Sequence, residues 1–232
     1  MRMKKKILSA KPSDYELDCN GQVVIKNYNE KKPFSNFFPG IAGVWGIPMW
    51  VFYVNRGQGI ASFGTESKDK AILEFQPAHK SYRLTPLQGF RTFIKVYFKG
   101  QTHYWEPFQS LLLGTDFKKE QTMKISAHDL TLEEVNHSLG LSITVNYFTL
   151  PEEPFSALVR RVTIKNISKR ESKVEILDGL PVIVPFGLSD SLNKNISRTI
   201  EAWVKVRNID QQMPFYQLNV EVADKPEVKH IP

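Results

Sequence analysis

Two stretches of the sequence decide the fold: LVRRVTIKN at Leu158–Asn166 and KVEILDG at Lys173–Gly179. In each stretch apolar residues alternate with charged or polar ones, which is typical of a strand with one packed face and one wet face. A polar turn at Ser168–Arg170 joins the two. The same alternation occurs earlier, in LSITVNY at Leu141–Tyr147. The second half of the chain is therefore predicted to be antiparallel β-structure.

Strand signals continue through the rest of the chain, whereas helical signals are few. Further runs of β-branched and aromatic residues predict strands at Gln22–Lys26, Ala71–Phe75, Thr92–Phe98, Ala202–Arg207 and Gln217–Val222. Short helices are expected at Ser126–Asn136, with Ser126 or Asp129 as the cap, and at Ser189–Ile196. Strands at short spacing with Gly, Pro and Asn between them are typical of a β-sandwich or a barrel. We expect one such domain over residues 19–232.

Composition excludes several classes of protein. The chain has 232 residues, one cysteine and a net charge of +7. The lone Cys19 cannot form an internal disulfide, which fits a reducing compartment, so a cytoplasmic location is expected. Because no apolar run approaches the ~18 residues of a membrane span, no membrane partner is expected.

The positive charge is concentrated at the start of the chain. Four of the basic residues fall in the first six positions, and residues 1–18 are interpreted as a solvated basic tail. The remaining surplus is scattered, whereas nucleic-acid sites cluster basic residues with stacking aromatics. No nucleic-acid partner is therefore expected.

The segment Pro33–Gly64 is rich in glycine and in aromatic residues. Sugar rings present apolar C–H faces that lie well on Trp and Tyr, and an apolar floor with a few polar groups is typical of small-molecule sites. Trp50 and Phe52 are expected to point into the core together with Val54. Trp45 lies in a glycine-flanked turn and is the better candidate for an exposed platform.

Other motifs give no self-contained active site. The run NRGQG at Asn55–Gly59 lacks the spacing of a phosphate loop, and a hairpin turn with glycines at positive φ is favoured. The pairs Glu133-Glu134 and Glu152-Glu153 are expected in polar turns, not facing each other across the ~5–9 Å of a glycosidase site. The five histidines have no metal-ligand spacing, so no metal is expected.

Several segments together carry a resemblance to a known family. They are Phe63–Phe75 with its Ser-Lys-Asp turn, YWEPFQ at Tyr104–Gln109, VNYFTLPEEP at Val145–Pro154, Leu158–Asn166 and Lys173–Ile176. These strand and turn patterns resemble the N-terminal β-sandwich of the cellobiose phosphorylase-like glycoside phosphorylases, over most of residues 20–205. The resemblance implies a single antiparallel β-supersandwich, galactose mutarotase-like, with one or two short helices.

The family's activity is implied for a larger parent protein. Its members split a β-glucosidic bond with inorganic phosphate, and they carry the catalytic Asp and the phosphate in an (α/α)6 barrel that follows the sandwich. The long repeated amphipathic helices of that barrel are missing from this sequence. We therefore expect the non-catalytic N-terminal part of a longer enzyme, with no cofactor and with phosphate as the parent's co-substrate. The closing residues 222–232 are interpreted as a chain stopping in or just past a sheet.

The resemblance also implies partners and contact residues. The sandwich would pack against the barrel, help to form a homodimer and lend loops to the acceptor side of the site, where a β-glucan oligosaccharide binds. The residues expected to make such contacts are Trp45, Arg56, Gln58 and Trp105. The many aromatics of Phe34–Asn55 leave open a different oligoglucan. Two alternatives remain: a free-standing carbohydrate-binding sandwich, and a structural sandwich without a ligand.

Overall fold

The computed structural model describes residues 15–39, 48–98, 100–109, 117–196, 199 and 203–218. Within that part the chain is mostly β, and its strand pairs are antiparallel. The all-β, sandwich-like class predicted from the sequence is confirmed.

Three sheets and a separate strand pair make up the β-structure. Sheet A runs in the order β1 (Tyr15–Leu17), β2 (Val23–Lys26), β9 (Lys119–Ile125), β10 (Asp129–Asn136), β11 (Leu141–Thr149) and β12 (Leu158–Asn166). Sheet B runs in the order β3 (Ser35–Pro39), β4 (Met49–Val54), β5 (Ile60–Thr65) and β6 (Ala71–Leu73). Sheet C runs in the order β13 (Lys173–Gly179), β7 (Arg91–Phe98) and β8 (Gln101–Trp105). The pair consists of β14 (Val204–Arg207) and β15 (Phe215–Leu218). Two α-helices are described, α1 (Ala78–Gln88) and α2 (Asp190–Ile196).

One hydrophobic core receives side chains from all three sheets. Sheet A contributes its inner face, where every second residue of β10 and β11 is buried. Sheets B and C contribute Val51, Tyr53, Phe63, Ile94, Val96 and Trp105, among others. Since the intervening residues of sheet A are partly exposed, the alternation in the sequence gives one packed and one wet face, as predicted.

The two stretches that decide the fold are both strands at the predicted bounds, but they do not pair with each other. Leu158–Asn166 pairs with β11 in sheet A, and Lys173–Gly179 pairs with β7 in sheet C. Val162 and Val174 nevertheless pack against the same core. The polar turn therefore carries the chain from one sheet to another.

The helix predicted at Ser126–Asn136 is wrong, because Asp129–Asn136 forms a central strand of sheet A. Strand pairing on both sides satisfies its backbone groups, and the alternation buries Leu130 and Leu132. The Ser126 hydroxyl binds Asp129 in a tight turn and caps no helix. The helix predicted at Ser189–Ile196 is present as α2.

The helix α1 is absent from the sequence-based prediction. It begins after Pro77 without a side-chain cap, and Pro86 lies inside it, so the usual signal is present only at its C-terminal end, where Gly89 follows. The Ser81 hydroxyl donates to the carbonyl of Gln76, and the Thr85 hydroxyl donates to the carbonyl of Ser81. Packing against β4 and β5 holds this helix in place.

The inward face of β4 differs in part from the prediction. Val51 and Tyr53 point into the main core, whereas Trp50 and Phe52 lie on the other face. There Trp50, Phe52, Phe37 and Phe75 make edge-to-face and tilted ring contacts. Phe52 is thus buried as expected, but in a second aromatic layer, because the strand alternates in the opposite phase.

Two further predictions concern the first and the last described residues. Residues Tyr15–Leu17, assigned from the sequence to the basic tail, form β1 and pair with β2. Of the strand predicted at Gln217–Val222, only the first two positions lie in the described part, at the end of β15.

Candidate functional site

The turn Asn55–Gly59 places two of the sequence-predicted contact residues, Arg56 and Gln58. It joins β4 to β5 as a hairpin, with Gly57 at φ 53° and Gly59 at φ 81°, as predicted. The buried Asn55 side chain fixes the turn, because it donates to the carbonyls of Tyr28 and Lys32 at 3.0 and 3.1 Å.

Gln58 lies inside the molecule and is 2% exposed. Its Nε2 donates to Thr92 Oγ1 at 2.9 Å, and its Oε1 accepts from Arg160 at 2.7 Å. Because both ends of the amide are bonded, Gln58 connects the hairpin turn to sheets A and C. The geometry gives it a structural role.

Arg160 is the centre of that connection. Its guanidinium forms two hydrogen bonds with the Asp178 carboxylate, one more with Thr92 Oγ1 at 3.0 Å, and lies over the Phe90 ring. Burial alone would raise the pKa of Asp178, but the bonds from Arg160 and Thr92 outweigh it and lower that pKa. The ion pair therefore ties β12 of sheet A to β13 of sheet C.

Trp105 is also buried, at 2% exposure. Its indole Nε1 donates to Glu134 Oε1 at 2.7 Å. Glu134 also accepts from the Phe108 backbone N–H at 2.5 Å and from Gln121 Nε2 at 2.7 Å. Burial raises the pKa of this carboxyl, although the donors around it act in the opposite direction. The expectation that Glu134 lies in a polar turn is wrong, because the strand alternation turns it inward while Glu133 faces Lys124 on the wet side.

The buried Glu134 holds the loop that follows β8. Phe108 has φ 64°, a left-handed conformation that is unfavourable for a bulky residue. Its N–H is bound by Glu134 and its carbonyl accepts from Asn29 at 3.1 Å, so both backbone groups are fixed. This loop carries Glu106 and Gln109 to the surface beside α1.

The surface beside α1 is a cavity of about 410 Å³, which we call the α1 groove. The helix contributes Tyr82, Arg83, Pro86 and Leu87. The opposite wall contains Arg56, Arg91, Glu106 and Gln109. Three guanidinium groups and one carboxylate therefore face the same space.

Most of these polar groups are held in place. Arg91 binds Glu106 with two parallel hydrogen bonds, of 2.6 and 3.0 Å, and this pair raises the pKa of Arg91. Arg56 donates to the carbonyl of Asn29 at 3.2 Å and lies 5.7 Å from the centre of the Tyr82 ring. Gln109 Nε2 donates to the carbonyl of Pro86 at 3.0 Å.

A second cavity, of about 430 Å³, adjoins the α1 groove and shares Tyr82 and Arg83 with it. Its remaining lining consists of Pro33, Phe34, Ser35, Ala78 and His79. The α1 groove is lined largely by charged side chains, whereas the second cavity is largely apolar. Tyr82 lines both.

The last part of the described chain has a different surface. Eleven of the twenty exposed large hydrophobic side chains among the described residues lie between Ile176 and Tyr216. Phe186 is fully exposed and Leu177 is 71% exposed. Leu177 and Ile176 also line a shallow apolar cavity with Phe93 and Tyr104 on sheet C. We call the exposed hydrophobic residues from Ile176 to Tyr216 the C-terminal apolar surface.

The predicted contact residues thus fall in different environments. Arg56 lines the α1 groove, and Gln58 is buried. Trp105 is also buried and lies at the base of the apolar cavity on sheet C, whereas Trp45 lies outside the described residues. Sequence reasoning missed Tyr82 and Arg83 because it missed α1. The spacing of His79, Tyr82, Arg83 and Pro86, three or four residues apart, is the signal that would place them on one helix face.

The described residues show neither a metal centre nor a membrane-spanning helix. No group of three or more His, Cys, Asp or Glu side chains among them is placed to hold a metal ion. No helix in that part of the chain is long and apolar enough to cross a membrane.

Comparison with known proteins gave no match for this chain, either among models of protein families or among curated proteins.

Proposed function

We propose that this chain is the non-catalytic β-sandwich of a larger carbohydrate-active enzyme resembling cellobiose phosphorylase. Its main role would be to pack against the helical barrel that carries the catalytic groups. The observation that carries this proposal is the C-terminal apolar surface.

Exposed hydrophobic residues that form a contiguous patch indicate a surface that another body covers, and Ile176 and Leu177 lie together with Phe93 and Tyr104 on sheet C. In the described chain such residues are concentrated after Ile176, and they include the fully exposed Phe186. Burying a side chain of that size contributes about 1.5–3 kcal/mol. Covering these side chains would therefore stabilise the association with a packing partner.

Within the proposed enzyme, the parent reaction is phosphorolysis of a β-glucoside to a sugar 1-phosphate. The sandwich would help to form a homodimer and would present loops to the acceptor side of an oligosaccharide site. Arg56 supports this role best among the predicted contacts, because it reaches a surface cavity from a fixed turn. Gln58 would act by holding that turn in place. Trp105 would act by holding the loop after β8, through its hydrogen bond to Glu134.

The first test is the gene. The proposal requires an open reading frame that continues past Pro232 into repeated long amphipathic helices, and a stop codon at that point would overturn it. In activity assays, the 232-residue chain should not phosphorolyse cello- or laminari-oligosaccharides at pH 7, whereas the complete protein should. Turnover by the isolated chain would contradict a non-catalytic role.

The second test concerns the packing surface. Leu177→Asp should weaken the association between the sandwich and the separately purified helical part, measured by calorimetry. Leu17→Asp is the matched control, because Leu17 on β1 is 74% exposed but lies outside the C-terminal apolar surface. Equal effects of the two substitutions would show that this surface is not the contact.

A free-standing carbohydrate-binding module is the second candidate, and the α1 groove favours it. The groove and its neighbour combine the Tyr82 ring with polar groups that are held in place, as sugar sites do. Calorimetric titration with soluble β-glucans separates the candidates. Micromolar affinity in the isolated chain, lost in Tyr82→Ala or in Trp45→Ala, would favour the module, and absence of heat would leave a sandwich without a ligand.

A further inference from the structure

Three arginines that are far apart in the sequence meet at the α1 groove. Arg56 comes from the turn between β4 and β5, Arg83 from α1, and Arg91 from the start of β7. Bringing like charges together is unfavourable unless an anion lies between them or another group neutralises them.

Only part of this positive charge is neutralised within the described chain. Glu106 is the one carboxylate among the lining residues, and its two oxygens are engaged by Arg91. Arg56 has a neutral carbonyl as its hydrogen-bond partner. Arg83 is exposed, and within the described part of the chain its side chain has no hydrogen bond or ion pair. Two guanidinium groups thus have no carboxylate partner among the described residues.

The arrangement is prepared for a ligand, since most donors around the space already have fixed positions. Arg56 is held by the Asn29 carbonyl and the Tyr82 ring, so its remaining N–H groups keep a defined direction. Guanidinium forks match the geometry of phosphate and carboxylate oxygens, which they bind through paired hydrogen bonds. Arg83 is free to close onto such a group from the helix.

The neighbouring cavity indicates what is attached to the oxyanion. It shares Arg83 and Tyr82 with the groove, but most of its other lining is apolar, with Pro33, Phe34 and Ala78. A molecule with a charged group at one end and an uncharged ring or chain at the other would occupy both cavities. A bare inorganic ion would fill only the arginine side.

We propose that the α1 groove binds a small organic oxyanion, a phosphate or carboxylate carried on a sugar-sized body. Arg56 and Arg83 would bind the oxygens, and the apolar cavity beside Tyr82 would hold the uncharged part. This goes beyond the proposed packing role of the sandwich, and it does not depend on a helical barrel.

The test is calorimetric titration of the 232-residue chain at low ionic strength with glucose 6-phosphate, glucuronate, inorganic phosphate and glucose. At least one of the two charged sugars should bind saturably and more tightly than glucose, and added salt should weaken the binding. Comparison of glucose 6-phosphate with glucuronate will show whether the groove prefers a phosphate or a carboxylate. Inorganic phosphate should bind more weakly than the better sugar ligand, because it leaves the second cavity empty.

The variant Arg83→Gln removes one of the two uncompensated charges. It should weaken binding of the charged sugar about tenfold or more, because hydrogen bonds to charged groups are lost. Arg207→Gln is the matched control, an exposed arginine on β14 that gives the same change in net charge. Circular dichroism will show that both variants keep the fold.

Three outcomes would overturn the proposal. They are the absence of saturable binding by either charged sugar, equal affinity for glucose and its charged derivatives, and equal losses in Arg83→Gln and Arg207→Gln. None of these results depends on whether the chain belongs to a phosphorylase.

Discussion

Glu134 shows how a single buried carboxylate can organise a loop. Its three donors come from the end of β8, from the loop that follows and from β9, so the side chain joins three segments. The loop places Glu106 and Gln109 in the wall of the α1 groove. At the scale of residues, the shape of the candidate site therefore depends on a side chain that does not touch it.

Glu134→Gln should destabilise the protein. The amide offers one acceptor oxygen where three donors converge, and its NH2 group would face another donor. Leaving a buried donor unpaired costs about 1–3 kcal/mol. The free energy of unfolding, measured by urea denaturation, will show the loss.

The neighbouring residue supplies the control for this change. Glu133 lies on the wet face of the same strand and pairs with Lys124 at 2.9 Å. Glu133→Gln should cost less than about 1 kcal/mol, because partly exposed ion pairs contribute little. If the two variants lose equal stability, the buried network is not what holds the loop.

The ion pair of Arg160 and Asp178 makes the stability of the protein depend on pH. Its hydrogen bonds lower the pKa of Asp178 below the ordinary value of 3.8. The stabilisation is therefore fully present above about pH 3.8 and is lost as the pH falls through the lowered pKa of the folded state. Asp178→Asn should reduce the free energy of unfolding at pH 7 by about 1–2 kcal/mol, since the carboxylate is only partly exposed.

The difference between wild type and Asp178→Asn should shrink in acid, when urea denaturation is repeated below pH 3.8. Asp210→Asn, which changes an exposed aspartate of the last described segment, should show no such pH-dependent difference. A gap that stays constant from neutral to acid pH would mean that the Asp178 charge contributes nothing.

At the scale of elements, β5 and β6 approach each other closely around Gly64. A Cβ atom at this position would lie 2.5 Å from the carbonyl oxygen of Lys70 and 2.8 Å from the Trp50 ring. The pairing of the two strands shifts register at the same place. Only a residue without a side chain fits there, because the nearest obstacle is backbone.

Gly64→Ala should therefore destabilise the protein by about 1–3 kcal/mol, the usual range for overpacking. Gly179→Ala at the end of β13 is the control, since a Cβ there meets nothing within 4 Å, and it should change stability by less than about 0.5 kcal/mol. Thermal and urea unfolding of the two variants will measure the contrast. A tolerated Gly64→Ala would mean that β6 can move away from β5.

Several strands were predictable and α1 was not, for physical reasons. Alternation in Leu141–Tyr147 and Leu158–Asn166 is local, so it can be read without knowing the partners of each strand. The helix α1 begins after Pro77 without a side-chain cap and contains Pro86, so tertiary packing stabilises it where local signals are weak. Which sheet receives Lys173–Gly179 depends on contacts with residues some 75 positions earlier, which no local pattern contains.

The candidate site was predictable to the same limited extent. The glycines of the turn indicated a fixed loop, and Arg56 on it does reach a cavity. Of the groups that hold Arg56, the Tyr82 ring lies on α1, which the sequence does not predict, and the Asn29 carbonyl is distant in the sequence. The alternation that buries Leu130 and Leu132 also places Glu134 on the inner face, but it was not used because the segment was predicted to be a helix.

At the scale of the whole molecule, three sheets share one core while the C-terminal apolar surface stays exposed. Such a surface favours self-association when its natural partner is missing. The isolated chain should therefore associate reversibly at high concentration, in sedimentation velocity experiments. The double variant Leu177→Ser and Phe186→Ser should reduce this association, because both side chains are exposed.

The double variant should leave the unfolding temperature nearly unchanged, since exposed side chains contribute little to the stability of the fold. Leu17→Ser is the control for exposure alone and should not change the sedimentation profile. Association that persists unchanged in the double variant would place the contact elsewhere on the molecule.

The position of β13 in sheet C has a consequence for the nascent chain on the ribosome. β7 and β8 can form their hairpin early, but Lys173, which lies opposite Tyr97, is synthesised about 75 residues later. At roughly 5–20 residues per second, translation leaves one edge of β7 open for about 4–15 s. An open edge is a template for pairing with other chains. We therefore expect a chaperone that accompanies this protein during synthesis to protect β7 first.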